Sequence, residues 1–155
     1  MKRISWDEYF LQIVEAVSQR STCDRAQVGA VLVQNGQIVS SGYNGSPSGH
    51  PHCDQNGHDM VDGHCIRTVH AELNAILQAA KSGTAIYGAT CYTTYLPCYE
   101  CSKALVNVGI KRIVFREIYR MEHRQHEAFL QRSGITLDQL TLLDPSLAKY
   151  MKENL

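Results

Sequence analysis

Two short motifs far apart in the chain limit its fold most: His70-Ala71-Glu72, and Pro97-Cys98-Tyr99-Glu100-Cys101. Cys98 and Cys101 stand three apart where a helix is expected to start. Their sulfurs therefore share a face beside free backbone N–H groups and the positive end of the helix dipole, which favours thiolates. His70 opens a second expected helix. One imidazole and two thiolates fill three corners of a tetrahedral Zn²⁺ site and leave the fourth to water, as a catalytic zinc requires and a structural zinc avoids. A lone C-x-x-C also reads as a redox dithiol, and His70 with Glu72 tips the reading toward metal. Any fold for this chain has to hold two helix starts against each other.

The rest of the pattern supplies a frame that can do so. Ser5 and Glu8 make a capping box, and Tyr9, Phe10, Ile13, Val14 and Val17 recur at helical spacing, predicting a helix over 6–20. Segments 28–34 and 37–42 are β-rich and joined by Asn35-Gly36, a pair suited to a type I′ turn. Residues 43–67 have no period, which is long for a structureless loop, so something other than an apolar face should fix them. Helices are expected over 70–81, 98–108 and 122–132, each followed by a glycine, and strands over 89–95, 111–116 and 135–143. Asp144-Pro145 marks the start of a short last helix. This order implies an α/β fold in one domain over 1–155: a mixed five-stranded sheet with helices on both faces, in three layers.

Charge and composition narrow the partners. Fifteen basic and fifteen acidic side chains cancel, so no global positive field gathers a nucleic-acid polymer. The longest apolar run, 28–33, is far below the roughly 18 residues that span a bilayer. The first ten residues mix Lys2 and Arg3 with Asp7 and Glu8 and form no export stretch, so a cytoplasmic location is expected. In a reducing compartment the six cysteines are expected to ligate metal, do redox chemistry or lie buried rather than form disulfides, and mid-strand Cys91 reads as a small core residue.

H-x-E together with P-C-x-x-C is the signature of zinc deaminases acting on nucleobases. Zinc lowers the pKa of bound water to around 7. Glu72 need not bind the metal: its carboxylate can take a proton from that water, pass it to ring N3 of a cytosine and later protonate the leaving amine. Attack at C4, followed by loss of ammonia, leaves uracil. An ordinary solvated helix carboxylate is the plain alternative for Glu72.

The stretches QVGAVLV, GYNGSPSG, HAELNAIL and TTYLPCYEC resemble those of deoxycytidylate (dCMP) deaminases, over about residues 5–118. The resemblance implies the three-layer α/β/α cytidine-deaminase fold and conversion of dCMP to dUMP, a supply for thymidylate synthesis. It also implies that the loop Gly42 to Gly45 borders the nucleotide site and that Asn44 bonds the sugar. Relatives are commonly homohexamers activated by dCTP with Mg²⁺ and inhibited by dTTP, which implies an effector site near Gly42, Tyr43 and Gly45. Cytidine, dCTP or a tRNA adenosine as substrate, and a non-catalytic zinc-stabilised binding module, stay open at this point.

Other residues carry weaker signals. Tyr95, just before the Pro97-Cys98 turn, can stack on a base or be a core aromatic. A monophosphate needs cations or donors, and Arg20, Ser21, Arg25 and Ser46 flank the Gly-Tyr-Asn-Gly loop; the two arginines can equally be surface charges. Five of the seven histidines fall between residues 50 and 70, with Cys53 and Cys65. Cys23, Cys53, His58 and Cys65 would make a closed four-ligand zinc site fastening the long loop to the end of the first helix, with His64 as an alternative to Cys65. Some dCMP deaminases similar to this chain carry such a second, structural zinc.

Overall fold

A computed structural model describes residues 3–119 and 125–141. Helix α1 (Trp6–Ser18) is followed by β1 (Gly29–Gln34) and β2 (Gln37–Tyr43). The turn α2 (Cys53–Asn56) and the two-residue strands β3 (Met60–Val61) and β4 (His64–Cys65) come next. Then α3 (Ala71–Ser82), β5 (Thr90–Tyr95), α4 (Tyr99–Asn107), β6 (Arg112–Glu117), α5 (Gln125–Arg132) and β7 (Thr136–Gln139) complete the order. The five long strands form one sheet in the order β2-β1-β5-β6-β7; the pairs from β2 to β5 are antiparallel and those from β5 to β7 parallel. The expected mixed five-stranded sheet is what forms.

Strand alternation sorts the core into two layers. Ala30, Leu32, Cys91, Ile113 and Phe115 pack with Ala71, Ala75 and Ala79 of α3, Leu105 of α4 and Leu130 of α5. Their neighbours Val31, Val33, Tyr92 and Val114 pack on the opposite face with Phe10, Leu11 and Val14 of α1. Cys91 is fully buried, as its mid-strand position suggests. Two glycines let helices sit directly on backbone. A Cβ on Gly29 would lie 2.5 Å from the Val14 carbonyl oxygen, and one on Gly42 would lie 2.4 Å from both the Ala71 oxygen and the Ala75 nitrogen.

The local signals are realised. Ser5 Oγ accepts from Glu8 N–H at 3.2 Å and Glu8 Oε2 accepts from Ser5 N–H at 2.8 Å. Asn35 and Gly36 take φ of 51° and 74°, as a type I′ turn requires. Helix α1 stops at Ser18 rather than 20, where Arg20 and Ser21 N–H groups turn back to Val17 and Ser18 carbonyls. Strand β7 is shorter than expected because its pairing with β6 ends at Phe115↔Gln139. The expected helix from 144 lies outside the described residues, as do positions 122–124 of the helix expected over 122–132.

An ion network ties the α1 layer to the sheet. Arg112 donates to both Asp7 carboxylate oxygens at 2.8 Å and to Asp138 at 2.6 Å, while the Tyr92 hydroxyl donates to Asp7 at 2.7 Å. The Arg112 guanidinium holds the Asp7 carboxyl below its usual range against the opposing effect of desolvation, and Tyr92 adds to the lowering. A carboxyl depressed in the folded state stabilises above its unfolded pKa, and that contribution is lost as pH falls through the folded value. Asp7→Asn is therefore expected to cost about 1–2 kcal/mol at pH 7, after discounting for partial exposure. The difference from the native chain should shrink below pH about 4; urea unfolding of both proteins at the two pH values measures it, and a pH-independent gap contradicts the assignment.

Candidate active site

His70 and Cys98 are the N-cap residues of α3 and α4, both with extended backbone. Helix α3 packs on β2 and β1, and α4 follows β5 directly, so the sheet carries both helix starts to the same end. There the Cys98 and Cys101 sulfurs lie 3.4 and 3.5 Å from His70 Nδ1. A tetrahedral zinc with bonds of about 2.0–2.3 Å separates its ligand atoms by roughly 3.5–3.8 Å, so these three donors fit one ion.

Their ionisation fits as well. The Cys98 thiol is lowered to about 3, first by the hydrogen bond from Cys101 and then, against desolvation, by His70. Cys101 is pushed up by the neighbouring Cys98 and by burial. Two adjacent thiols share one proton until a divalent cation lets both ionise. His70 is raised by its hydrogen bond with Cys98.

Glu72 sits in the first turn of α3 and is 4% exposed. It is outside the three-residue ligand group, which leaves its carboxylate free for proton transfer. Desolvation raises its pKa, the shift that lets a carboxyl hold a proton nearer neutrality. Thr93, fully buried on β5, donates to Glu72 Oε1 at 3.4 Å. Glu72, His70 and Cys98 open on a cavity of about 170 Å³, whose other walls include Asn44, Tyr95 and Tyr119. The Tyr95 and Tyr119 rings meet edge to face, 5.3 Å between centroids.

A second cluster joins the aperiodic stretch to Cys23, beyond the end of α1. Cys23, Cys53, His58 and Cys65 place their donor atoms within 4.8 Å of one another. Cys23 Sγ lies 3.6 Å from His58 Nδ1, and the Cys53 and Cys65 sulfurs lie 3.7 Å apart. These separations also match the edges of a tetrahedral zinc. Desolvation pushes Cys53 up to about 12. In Cys65 the same effect is outweighed by hydrogen bonds from the Arg67 backbone and the His58 ring, bringing it to about 7. The other ring nitrogen of His58 meets Asp24 at 3.1 Å, the outer carboxylate that commonly orients a ligating histidine. His64, the alternative to Cys65, falls outside this group; its side chain lines the cavity instead.

Comparison with known proteins agrees with this geometry. Residues 4–117 match the family model of the cytidine and deoxycytidylate deaminase zinc-binding region. The chain belongs to this deaminase family. ComE operon protein 2 of Bacillus subtilis (strain 168) is 42% identical over 142 residues, covering 92% of this chain and 75% of that protein. The deoxycytidylate deaminase of Enterobacteria phage T2 is 37% identical over 163 residues, covering 81% of this chain and 87% of that enzyme. Among solved structures, the dCMP deaminase of cyanophage S-TIM5 in complex with dCMP and dUMP is 34% identical, with a TM-score of 0.78. The match covers 90% of this chain and all of that one.

The deaminase distributes its other expected site residues unevenly. Asn44 lines the cavity, but its amide oxygen accepts from Val28 N–H at 3.0 Å and its nitrogen donates to the Ala26 carbonyl at 2.8 Å. One N–H remains for a ligand, and the loop clasp takes the rest. Arg25 lines the cavity and donates to the Gly63 carbonyl at 3.1 Å. Ser21 is spent on Val28, donating to its oxygen and accepting from its nitrogen. Arg20 is exposed on the turn after α1. Ser46 does not line the cavity but a separate cleft of about 810 Å³, together with Gly42, Tyr43 and Gly45.

The sequence reading misses Thr93, Tyr119 and the cavity-facing role of His64. A usable signal exists for Tyr119: β5 and β6 are parallel, ligands collect beyond the carboxyl ends of such strands, and Tyr119 follows β6 by two residues.

Proposed function

We propose that this deaminase hydrolyses dCMP to dUMP and ammonia. The observation that carries the reading is a buried carboxylate, Glu72, outside a three-donor group that could hold a metal and beside it at the wall of one cavity. The likeness to an enzyme solved with dCMP and dUMP supports the choice of base and sugar. His70, Cys98 and Cys101 would hold the zinc, which when bound would supply a water that deprotonates near neutral pH. Glu72 moves the protons: from that water to N3 of the cytosine ring, then to the amine that departs from C4. Tyr95 with Tyr119 forms an aromatic wall against the base, Asn44 offers its remaining N–H to the sugar, and Arg25 supplies positive charge for the phosphate.

The finer reading extends to assembly and control. It takes the protein as a cytoplasmic homohexamer activated by dCTP with Mg²⁺ and inhibited by dTTP; the second cleft at Gly42, Tyr43, Gly45 and Ser46 offers room for an effector, and six unpaired cysteines fit a reducing compartment. No helix among the described residues is long and apolar enough to cross a membrane.

Adding cytidine, dCMP, dCTP and adenosine in turn and following loss of nucleotide absorbance is expected to give turnover with dCMP at least about a hundredfold above the others in kcat/KM. The dCMP curve should be sigmoidal and become hyperbolic with dCTP and Mg²⁺. Preference for adenosine overturns the substrate, and hyperbolic dCMP kinetics without effector overturn the regulation.

A further inference from the structure

The two metal centres are not independent pieces of architecture. Cys23 and Cys65, half of the second ligand set, line the same cavity as His70, Glu72 and Cys98. Around them the wall comes from the two segments that this set joins. Arg25 and Ala26 follow Cys23; Gly63, His64 and Thr68 flank Cys65. Regular structure alone holds the second segment weakly: β3 and β4 have two residues each and, among the described residues, pair with each other alone. Met60, Val61 and Ile66, the large apolar side chains of this segment, are 45%, 49% and 62% exposed. Besides the ligand cluster, it is tied to the rest by Arg25 to the Gly63 oxygen at 3.1 Å, by His58 to Asp24 at 3.1 Å and, at its far end, by the Gly45–Val69 backbone pair; Arg67 and the Ile66 N–H, each 2.8 Å from Asp59, close the segment on itself.

We infer that the Cys23, Cys53, His58 and Cys65 site is coupled to the nucleotide cavity: a zinc held there tightens nucleotide binding, and bound nucleotide tightens the zinc. The inference rests on the dCMP reading for the identity of the nucleotide. The physical basis is shared backbone. Drawing four donors from Cys23, the α2 turn, His58 and β4 onto one ion fixes both halves of the wall, and a ligand seated between those halves favours the same arrangement. Linkage makes the effect reciprocal. Cys23 and Cys65 are the shortest routes, since each is at once a donor of the second group and part of the cavity wall, with Arg25 and His64 within two residues of them. Asp24, between Cys23 and Arg25, is a positioning residue that aims the His58 ring from outside.

The test uses two variants whose altered residues do not line the cavity. In Cys53→Ser, zinc content by atomic emission should fall by one per chain. KM for dCMP should rise about tenfold while kcat stays within about threefold, and calorimetric affinity for dUMP should drop by the same factor as KM rises. Asp24→Asn keeps all four ligands. Its zinc should pass to a chromogenic chelator about tenfold more readily than the native second zinc, and its raised KM and weakened dUMP affinity in zinc-poor buffer should recover on adding zinc. Loss of the second zinc with KM and dUMP affinity unchanged overturns the coupling, as does a kcat loss at constant KM. If Cys53→Ser does not fold, the zinc dependence of dUMP affinity in Asp24→Asn decides alone, and its absence is decisive against. A native chain that neither binds dUMP nor turns over dCMP is a failure of the substrate reading, recognisable as such before any variant is made.

Discussion

Glu72→Gln is expected to lower kcat for dCMP by about a thousandfold, with zinc content and fold retained. The amide fills the volume of the carboxylate but cannot accept a proton from water and return it to N3 and the leaving amine. Because Glu72 is 4% exposed and desolvation already disfavours its charge, a neutral substitute removes a buried ion rather than breaking a pair, so the melting temperature should not fall. Zinc by atomic emission, thermal unfolding and the absorbance assay provide the three readouts. A non-catalytic zinc module needs no acid at this position. Residual activity within tenfold of the native chain would remove Glu72 from the chemistry, and loss of zinc would mean that it serves the metal instead.

Gly42→Ala should be the most damaging single methyl in the described fold. The added carbon would sit 2.4 Å from backbone atoms of both Ala71 and Ala75, and neither can rotate away as a side chain can. Strand β2 and helix α3 must separate, at a cost of about 3 kcal/mol or more. Since α3 begins beside His70 and carries Glu72, catalysis should fall along with stability. Gly36→Ala is the control: its φ is 74° but nothing lies within 4 Å of the new carbon, so only backbone strain of about 1 kcal/mol applies. Comparing the two by urea denaturation separates crowding from strain. Equal losses would mean that α3 does not depend on the close approach.

The parts of this molecule legible in the sequence are those where one residue type has one physical use. Ser5 with Glu8, Asn35-Gly36, and the valines and leucines of β1 state their local structure unambiguously, and the sheet follows from their order. The His70, Cys98 and Cys101 group and the four-residue second group are readable because cysteine and histidine at such density suit a common metal partner. Gly42 was harder to read: its place in a Gly-Tyr-Asn-Gly loop suggests nucleotide contact, while its packing duty depends on a helix that starts 29 residues later. Asn44 was similar, since an amide that clasps Ala26 and Val28 looks in sequence like one offered to a ligand. Thr93 gave no signal because a hydroxyl on a central strand is unremarkable until α3 is placed above it. The α2 turn and the pair β3 and β4 were missed because they are too short to show a period and, with Met60, Val61 and Ile66 exposed, have little apolar face to betray them.

Helices α3 and α4 begin on His70 and Cys98, and neither side chain makes a capping hydrogen bond. A serine, threonine or aspartate in those places ordinarily contributes about 1 kcal/mol to a helix. Both starts thus lack a side-chain cap and carry instead a donor of the group that could hold a metal ion. A zinc held by these donors would pin the two first turns as a cap does, so loading the metal would order the reactive centre as well as arm it.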